Sequence, residues 1–272
     1  VTVAFKLKDL DQSQAPLLDH LIELRRRLVR CVVALSLAFV VCFYFADQIF
    51  GFLVQPLVQA FPDGEGRLIF TRLYEAFFVQ IKVALFAAFF VSFPVIANQM
   101  WAFIAPGLYA KEKGAFLPFL IATPVLFTTG AALAYYIVMP TAFRWFIGFE
   151  GDMGGLSMEA LPGTDDYLTL VMQFILAFGI SFLLPVLLLL LNRAGIVSRA
   201  QLSGARRYLI VAIFVISAFA TPPDIVSQLM LAIPLILLFE GSLVIMSVTE
   251  KRAAKQAAEA ETEAEVPPVE QG

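Results

Sequence analysis

Polar and apolar residues do not alternate along this chain; they separate into long blocks. Six stretches are almost wholly apolar, approximately Cys31 to Ala46, Ala76 to Ala97, Ala115 to Pro140, Tyr167 to Leu191, Tyr208 to Pro222 and Ile225 to Val248. A bilayer core is crossed by about 20 apolar residues in a helix, with a range of about 17 to 25. No block shows the two-residue alternation over about 10 residues of an outer-membrane barrel strand. The backbone must therefore satisfy its own hydrogen bonds in helices. The expected fold is all-α, a polytopic membrane protein with six transmembrane helices.

Composition agrees, with 60% hydrophobic and only 15% charged residues among 272, against roughly 25% charged in a soluble domain. The basic residues then set the orientation, because positive loops stay cytoplasmic. With both termini inside, fifteen of the nineteen Lys and Arg residues fall in cytoplasmic segments, and Arg67, Arg72 and Arg144 lie outside. The remaining one, Lys82, falls within the second block. Residues 1–15 read as a cytoplasmic segment, 16–250 as the transmembrane domain and 251–272 as an acidic, disordered cytoplasmic tail. No cleavable signal peptide is expected, since the first apolar block starts about thirty residues in and no small-residue cleavage site follows it.

Several chemistries lack their residues. Cys31 and Cys42 lie eleven positions apart, about 16 Å along one helix axis, too far to pair. There is one histidine, His20, and no Cys or His cluster of zinc-site spacing. The sequence contains no GxxxxGK[ST], HExxH or GxSxG motif, so no nucleotide site, metal, cofactor or covalent nucleophile is expected. This is not the pattern of an enzyme.

Pro94, Pro118, Pro124, Pro185 and Pro234 all fall within apolar blocks. A helix proline removes a hydrogen bond and crowds the preceding turn, so kinks are expected. Two readings stay open: irregular packing alone, or a concave bundle enclosing a wet cavity. The fifth block is 15 residues, roughly 22 Å of helix against a hydrocarbon core of about 30 Å. With the abrupt TPPD turn after it, this pair of spans should thin the bilayer or be shielded by partners, and Glu240 falls at the cytoplasmic interface.

Just before the first block stands HLIELRRRLVR, residues 20–30. On a helix Glu23 faces Arg26 and Arg27 at i+3 and i+4, a weak pair in solvent. His20, Glu23 and Arg27 form one stripe, and Leu21, Leu24 and Leu28 an apolar one, which describes an amphipathic segment at the membrane surface. Glu23 is either a solvated partner of its own arginines or a receptor for a cation. Among other polar candidates, Glu75 and Lys82 share a helix face, Lys82 snorkelling outward or approaching Glu75. Gln173 and Gln228 read as helix-packing or cavity-lining groups. Asp165 and Asp166 read as caps of the fourth span. Trp101, Phe103 and Tyr109 are either membrane anchors or a screen for a polar site.

HLIELRRRL (20–28), WAFIAPGLYAKEK (101–113), AYYIVMP (134–140), YLTLVMQFILAFGISF (167–182) and TPPDIVSQLMLAIPLILLFE (221–240) resemble the signature blocks of the TatC family, the core membrane subunits of twin-arginine protein translocation. The resemblance runs from about Pro16 to Glu250. It implies a bacterial inner-membrane receptor for signal peptides that carry an arginine pair on folded cargo. It further implies a multi-subunit complex with TatA- and TatB-like single-span subunits, use of the proton motive force, and no nucleic acid partner. On the matching positions it assigns peptide binding to Glu23 and Glu112 and carries over Arg25 as a structural or anionic-lipid contact; Phe103 joins the expected peptide site as a candidate screen. Gln228 matches a position near the partner-binding surface. One position departs: Leu183 stands where many members carry a cavity-facing glutamate, which makes that wall more apolar.

The chemistry suits the assignment. Arginine presents a rigid fork of donors matched to carboxylates, which lysine does not reproduce. Exposed ion pairs contribute about 0–1 kcal/mol, and hydrogen bonds to shielded charged groups roughly 1.5–3, so discrimination needs a screened site. The rival class, a small proton-coupled secondary transporter, calls for paired ionisable groups at the midplane on repeated broken helices. Neither a repeat nor such a pair is visible.

Overall fold

A computed structural model describes residues 8–61, 66–108, 117–222 and 224–265. In chain order the elements are α1 (Lys8–Tyr44), α2 (Ala46–Val58), α3 (Glu75–Leu108), α4 (Leu117–Leu133), a π-helical turn (Ala134–Val138) and α5 (Met139–Ile147). A hairpin of β1 (Gly151–Met153) and β2 (Leu156–Met158) follows. Then come α6 (Thr164–Ser181), α7 (Leu184–Arg193), α8 (Arg199–Gly204), α9 (Arg206–Ala220) and α10 (Ile225–Glu265). Among the described residues the fold is helical apart from that hairpin, one isolated bridge and the connecting loops.

Five helical stretches among the described residues are long and apolar enough to cross a membrane: His20–Tyr44, Glu75–Phe103, Pro118–Ile147, Thr164–Arg193 and Ile225–Arg252. The α9 helix, with 15 residues, is shorter than these. It turns almost at once into α10, as the TPPD segment requires.

The prolines mark where helices break. Pro185 sits in the first turn of α7, and its ring crowds the carbonyl four residues back, at Ser181. The fourth apolar block is accordingly two helices, with Phe182 and Leu183 between them. Pro140 opens α5, and the turn before it relaxes to π geometry, a common site of local helix strain. Pro124 and Pro234 lie inside α4 and α10. At the end of α7, Gly195 takes φ +72°. The N–H of Ile196 then reaches Leu191 O and that of Gly195 reaches Asn192 O, a Schellman stop that closes the helix and turns the chain away.

The core forms around α6. Leu168, Val171, Phe174 and Phe178 are fully buried there, against Met139, Leu231 and Phe239 from neighbouring elements. Half of the apolar window of α6–α7 is buried, against 11% for α1, so α6 is the axis and α1 a peripheral stave. Contact between α4 and α6 is close enough that a Cβ at Gly130 would lie 2.5 Å from the Phe178 carbonyl oxygen. The α1 helix runs antiparallel to α3: Ala38 and Cys42 meet Ala84 and Ala88 at one level, and His20 meets Phe103 at the other. Small residues permit that approach. Cys31 and Cys42 are both free.

Two stretches add to or differ from the sequence reading. Apart from its first residue, Ala46, the α2 helix lies outside the six apolar blocks, and tyrosine anchors hold it: Tyr135 donates to Phe52 O at 2.6 Å and Tyr167 to Leu53 O at 2.8 Å. The tail expected to be disordered continues α10 to Glu265. Its Ala, Glu, Lys and Gln residues are strong helix formers, and the span supplies the nucleus. Residues 266–272 lie outside the described residues.

Candidate functional site: a carboxylate and an aromatic at the arginine-rich end

The bundle has two chemically distinct ends. One carries the start of α1, the end of α3, and Arg193, Arg199 and Arg206; we call it the arginine-rich end. The other carries α2, the β-hairpin and the loops before α3 and α6, and is the hairpin end.

At the arginine-rich end Glu23 lies on the α1 stripe that faces α3. Arg27, one turn on, donates from Nε to Glu23 Oε1 at 3.0 Å and from its terminal nitrogen to the same oxygen. Among the described residues only Oε1 is engaged. Glu23 is 38% exposed and Arg27 only 19%, so the carboxylate is open to a ligand while its partner is tucked against the protein. One turn before it, His20 stacks on Phe103 of α3, with ring centroids 4.2 Å apart and planes 21° from parallel. Phe103 is half-buried, and the stacked pair covers the flank next to Glu23. Arg25 is exposed on another face. Glu112 and Tyr109 lie outside the described residues.

Trp101 is no interfacial anchor. It is 5% exposed, and its indole N–H donates to Thr123 Oγ1 at 2.7 Å, with Thr123 donating onward to Phe119 O at 2.7 Å. The indole is large enough to bury and its single donor is satisfied on α4. It ties α3 to α4 beneath the site and leaves Phe103 as the screening aromatic.

The remaining polar candidates separate from this site. Glu240 pairs with Arg206 at 3.1 Å and links α10 to the start of α9 within the apolar stretch Ile225–Arg252, not at its end. Gln228 donates to Phe214 O at 3.1 Å and so joins α10 to α9. Gln173 is exposed on α6 and does not pack between helices, because its neighbours Val171 and Phe174 take the inward positions.

At the hairpin end Lys82 pairs with Asp165, so its partner is not Glu75. Glu75 instead accepts from the backbone N–H groups of Thr71 and Arg72 at 3.0 and 3.3 Å and of Asp165 at 3.2 Å. Asp165 and Asp166 stand in the first turn of α6, where acids meet the positive end of the helix dipole, but the N-cap itself is Gly163, without a side-chain bond, and Glu75 supplies an acceptor to Asp165 N–H from a neighbouring helix. The parallel bridge between Ile69 and Gly163 holds the two loops together there. Among the described residues no group of three or more His, Cys, Asp or Glu side chains forms a metal site.

Against this geometry stand the comparisons with known proteins. A family model described as Sec-independent protein translocase protein (TatC) matches residues 19–234. The chain belongs to the TatC family. It is 50% identical over 249 residues to the TatC of Magnetococcus marinus, covering 91% of this chain and 90% of that one. To the TatC of Escherichia coli K12 it is 39% identical over 229 residues, covering 84% and 87%. The crystal structure of the twin arginine translocase receptor TatC in DDM superposes with a TM-score of 0.72 at 39% identity, covering 84% of this chain and 99% of that one. A protein translocase component of multi-pass helical type is thereby shown. Leu183 lines an apolar cleft of about 440 Å³ with Met100, Trp101, Ile213 and Ile216.

Proposed function

We propose that this chain is the signal-peptide receptor and core subunit of a twin-arginine translocase. The observation that carries the reading is Glu23: a half-exposed carboxylate with one oxygen held by a guanidinium of its own helix and a stacked aromatic pair beside it. The site already accepts one arginine. An incoming guanidinium presents the same fork to the outer oxygen, and the His20–Phe103 stack limits water on one side, which strengthens a charge-assisted bond. Glu112 supplies the second carboxylate for the second arginine. A lysine pair offers charge without the fork and binds more weakly.

The rest of the reading follows the TatC relatives. The arginine-rich end faces the cytoplasm of a bacterial cell, α9 counts as a sixth, short span, and both termini lie inside the inner membrane. The chain assembles with TatA- and TatB-like single-span subunits, Gln228 lying near that surface and the short α9 thinning the bilayer for a folded cargo. The proton motive force drives passage. Fluorescence binding of Arg-Arg and Lys-Lys signal peptides to the purified protein tests the reading: tighter binding of Arg-Arg is expected. Equal binding of the two would overturn it.

A further inference from the structure

On the outer flank of the bundle a groove of about 460 Å³ runs between α4, α7 and α10. Its α10 wall extends from Leu237 to Thr249, about 18 Å at 1.5 Å per residue. That is close to half of a hydrocarbon core of about 30 Å, so the groove has the length of one leaflet. Its floor is apolar, with Phe119, Val186 and Met246 buried beneath it. Its polar residues, Asn192, Arg193 and Thr249, gather where α7 ends, close to the end of the apolar stretch of α10 at Arg252. The Arg193 guanidinium lies 5.9 Å from the Phe119 ring centre at this mouth. Lys251 and Arg252 follow directly on α10 and are exposed, and the one acid between Thr249 and these cations, Glu250, is paired with Arg199 at 2.8 Å.

We infer that this groove binds an anionic phospholipid, with an acyl chain along α10 and the headgroup phosphate at Arg193. The combination is specific to lipid. A free anion has no use for an apolar trough one leaflet long, and a transmembrane peptide would run past the cationic mouth through both leaflets. Arginine at the mouth favours phosphate by its planar donors, and a basic residue at this depth attracts anionic headgroups. Gly241 keeps the trough open: a Cβ there meets nothing within 4 Å.

The test uses the full chain in detergent and native mass spectrometry, with phosphatidylglycerol and phosphatidylcholine of matched acyl chains, and inorganic phosphate as a separate arm. Phosphatidylglycerol should be retained about fivefold better than phosphatidylcholine, the effect of one basic residue at an anionic surface. Arg193→Gln should erase that preference. Because this change also removes the contact with Phe119, a second variant, Gly241→Leu, puts an apolar side chain into the trough from a position where a Cβ meets nothing within 4 Å and should reduce retention of both lipids. Thermal unfolding of each variant without lipid checks that it is folded. Equal retention of the two lipids by the wild type, undiminished retention by Gly241→Leu, stabilisation by phosphate alone equal to that by phosphatidylglycerol, or a polypeptide adduct in place of lipid would each overturn the assignment.

Discussion

At the hairpin end Glu75 accepts three backbone N–H groups, two from the loop before α3 and one from the first turn of α6, whereas at the arginine-rich end Glu23 is held, among the described residues, only by Arg27 of its own helix. The same side chain thus serves opposite purposes. Glu75 spends its oxygens on the fold, and its carboxylate is the joint between the start of α3 and the start of α6. Among the described residues Glu23 holds nothing apart from a neighbour one turn away, so its removal should cost the fold little and leave its outer oxygen for a ligand. The presence of a carboxylate near a membrane surface is therefore uninformative until its acceptors are counted.

The comparison breaks first on stability. Glu75→Ala leaves three N–H groups without an acceptor and should lower the thermal midpoint in detergent by several degrees, with Glu75→Gln in between because one carbonyl oxygen remains. Glu23→Ala should leave the midpoint near that of the wild type. A larger loss from Glu23→Ala would show that the arginine-rich end is structural after all. Next in size, Trp101→Phe removes the donor to Thr123 and puts a smaller ring in a buried site, a loss of about 1–3 kcal/mol in unfolding free energy from the unpaired hydroxyl alone. Arg-Arg peptide binding should persist in that variant, since the indole lies beneath the site and not in it.

Phe103→Leu sharpens the comparison in the other direction. It removes the stack with His20 while keeping an apolar side chain, and should weaken Arg-Arg peptide binding by about two- to tenfold with the thermal midpoint almost unchanged. The smallest effect is expected at Lys82. Both partners of the Lys82–Asp165 pair are more than 40% exposed, so Lys82→Met should change stability by less than about 1 kcal/mol.

Much of this was legible from the order of residues. The apolar blocks anticipated the long helices, because length and polarity alone decide which segments enter lipid. The helical stripe of His20, Glu23 and Arg27 was visible because it depends only on 3.6-residue spacing. What depended on distant partners was not. Glu75 and Lys82 looked like a pair by spacing, yet Asp165, more than eighty positions away, receives Lys82 and donates its N–H to Glu75. Trp101 resembled an anchor because its partner Thr123 lies on another helix. The split of the fourth block was marked by Pro185, but a proline tells of a kink or a break alike. The α2 helix, interrupted by Gly51 and Pro56, has little local signal, and two tyrosine hydroxyls from elsewhere hold it.

The central claim is that Glu23 reads arginine while Glu75 builds the fold. The direct measurement is Arg-Arg and Lys-Lys signal-peptide affinity for the wild type, Glu23→Gln and Glu75→Gln, with thermal unfolding of each. The account predicts that Glu23→Gln loses about tenfold or more in Arg-Arg affinity, erases the preference over Lys-Lys and unfolds like the wild type, while Glu75→Gln keeps the preference and unfolds earlier. Unchanged Arg-Arg selectivity in Glu23→Gln would contradict it.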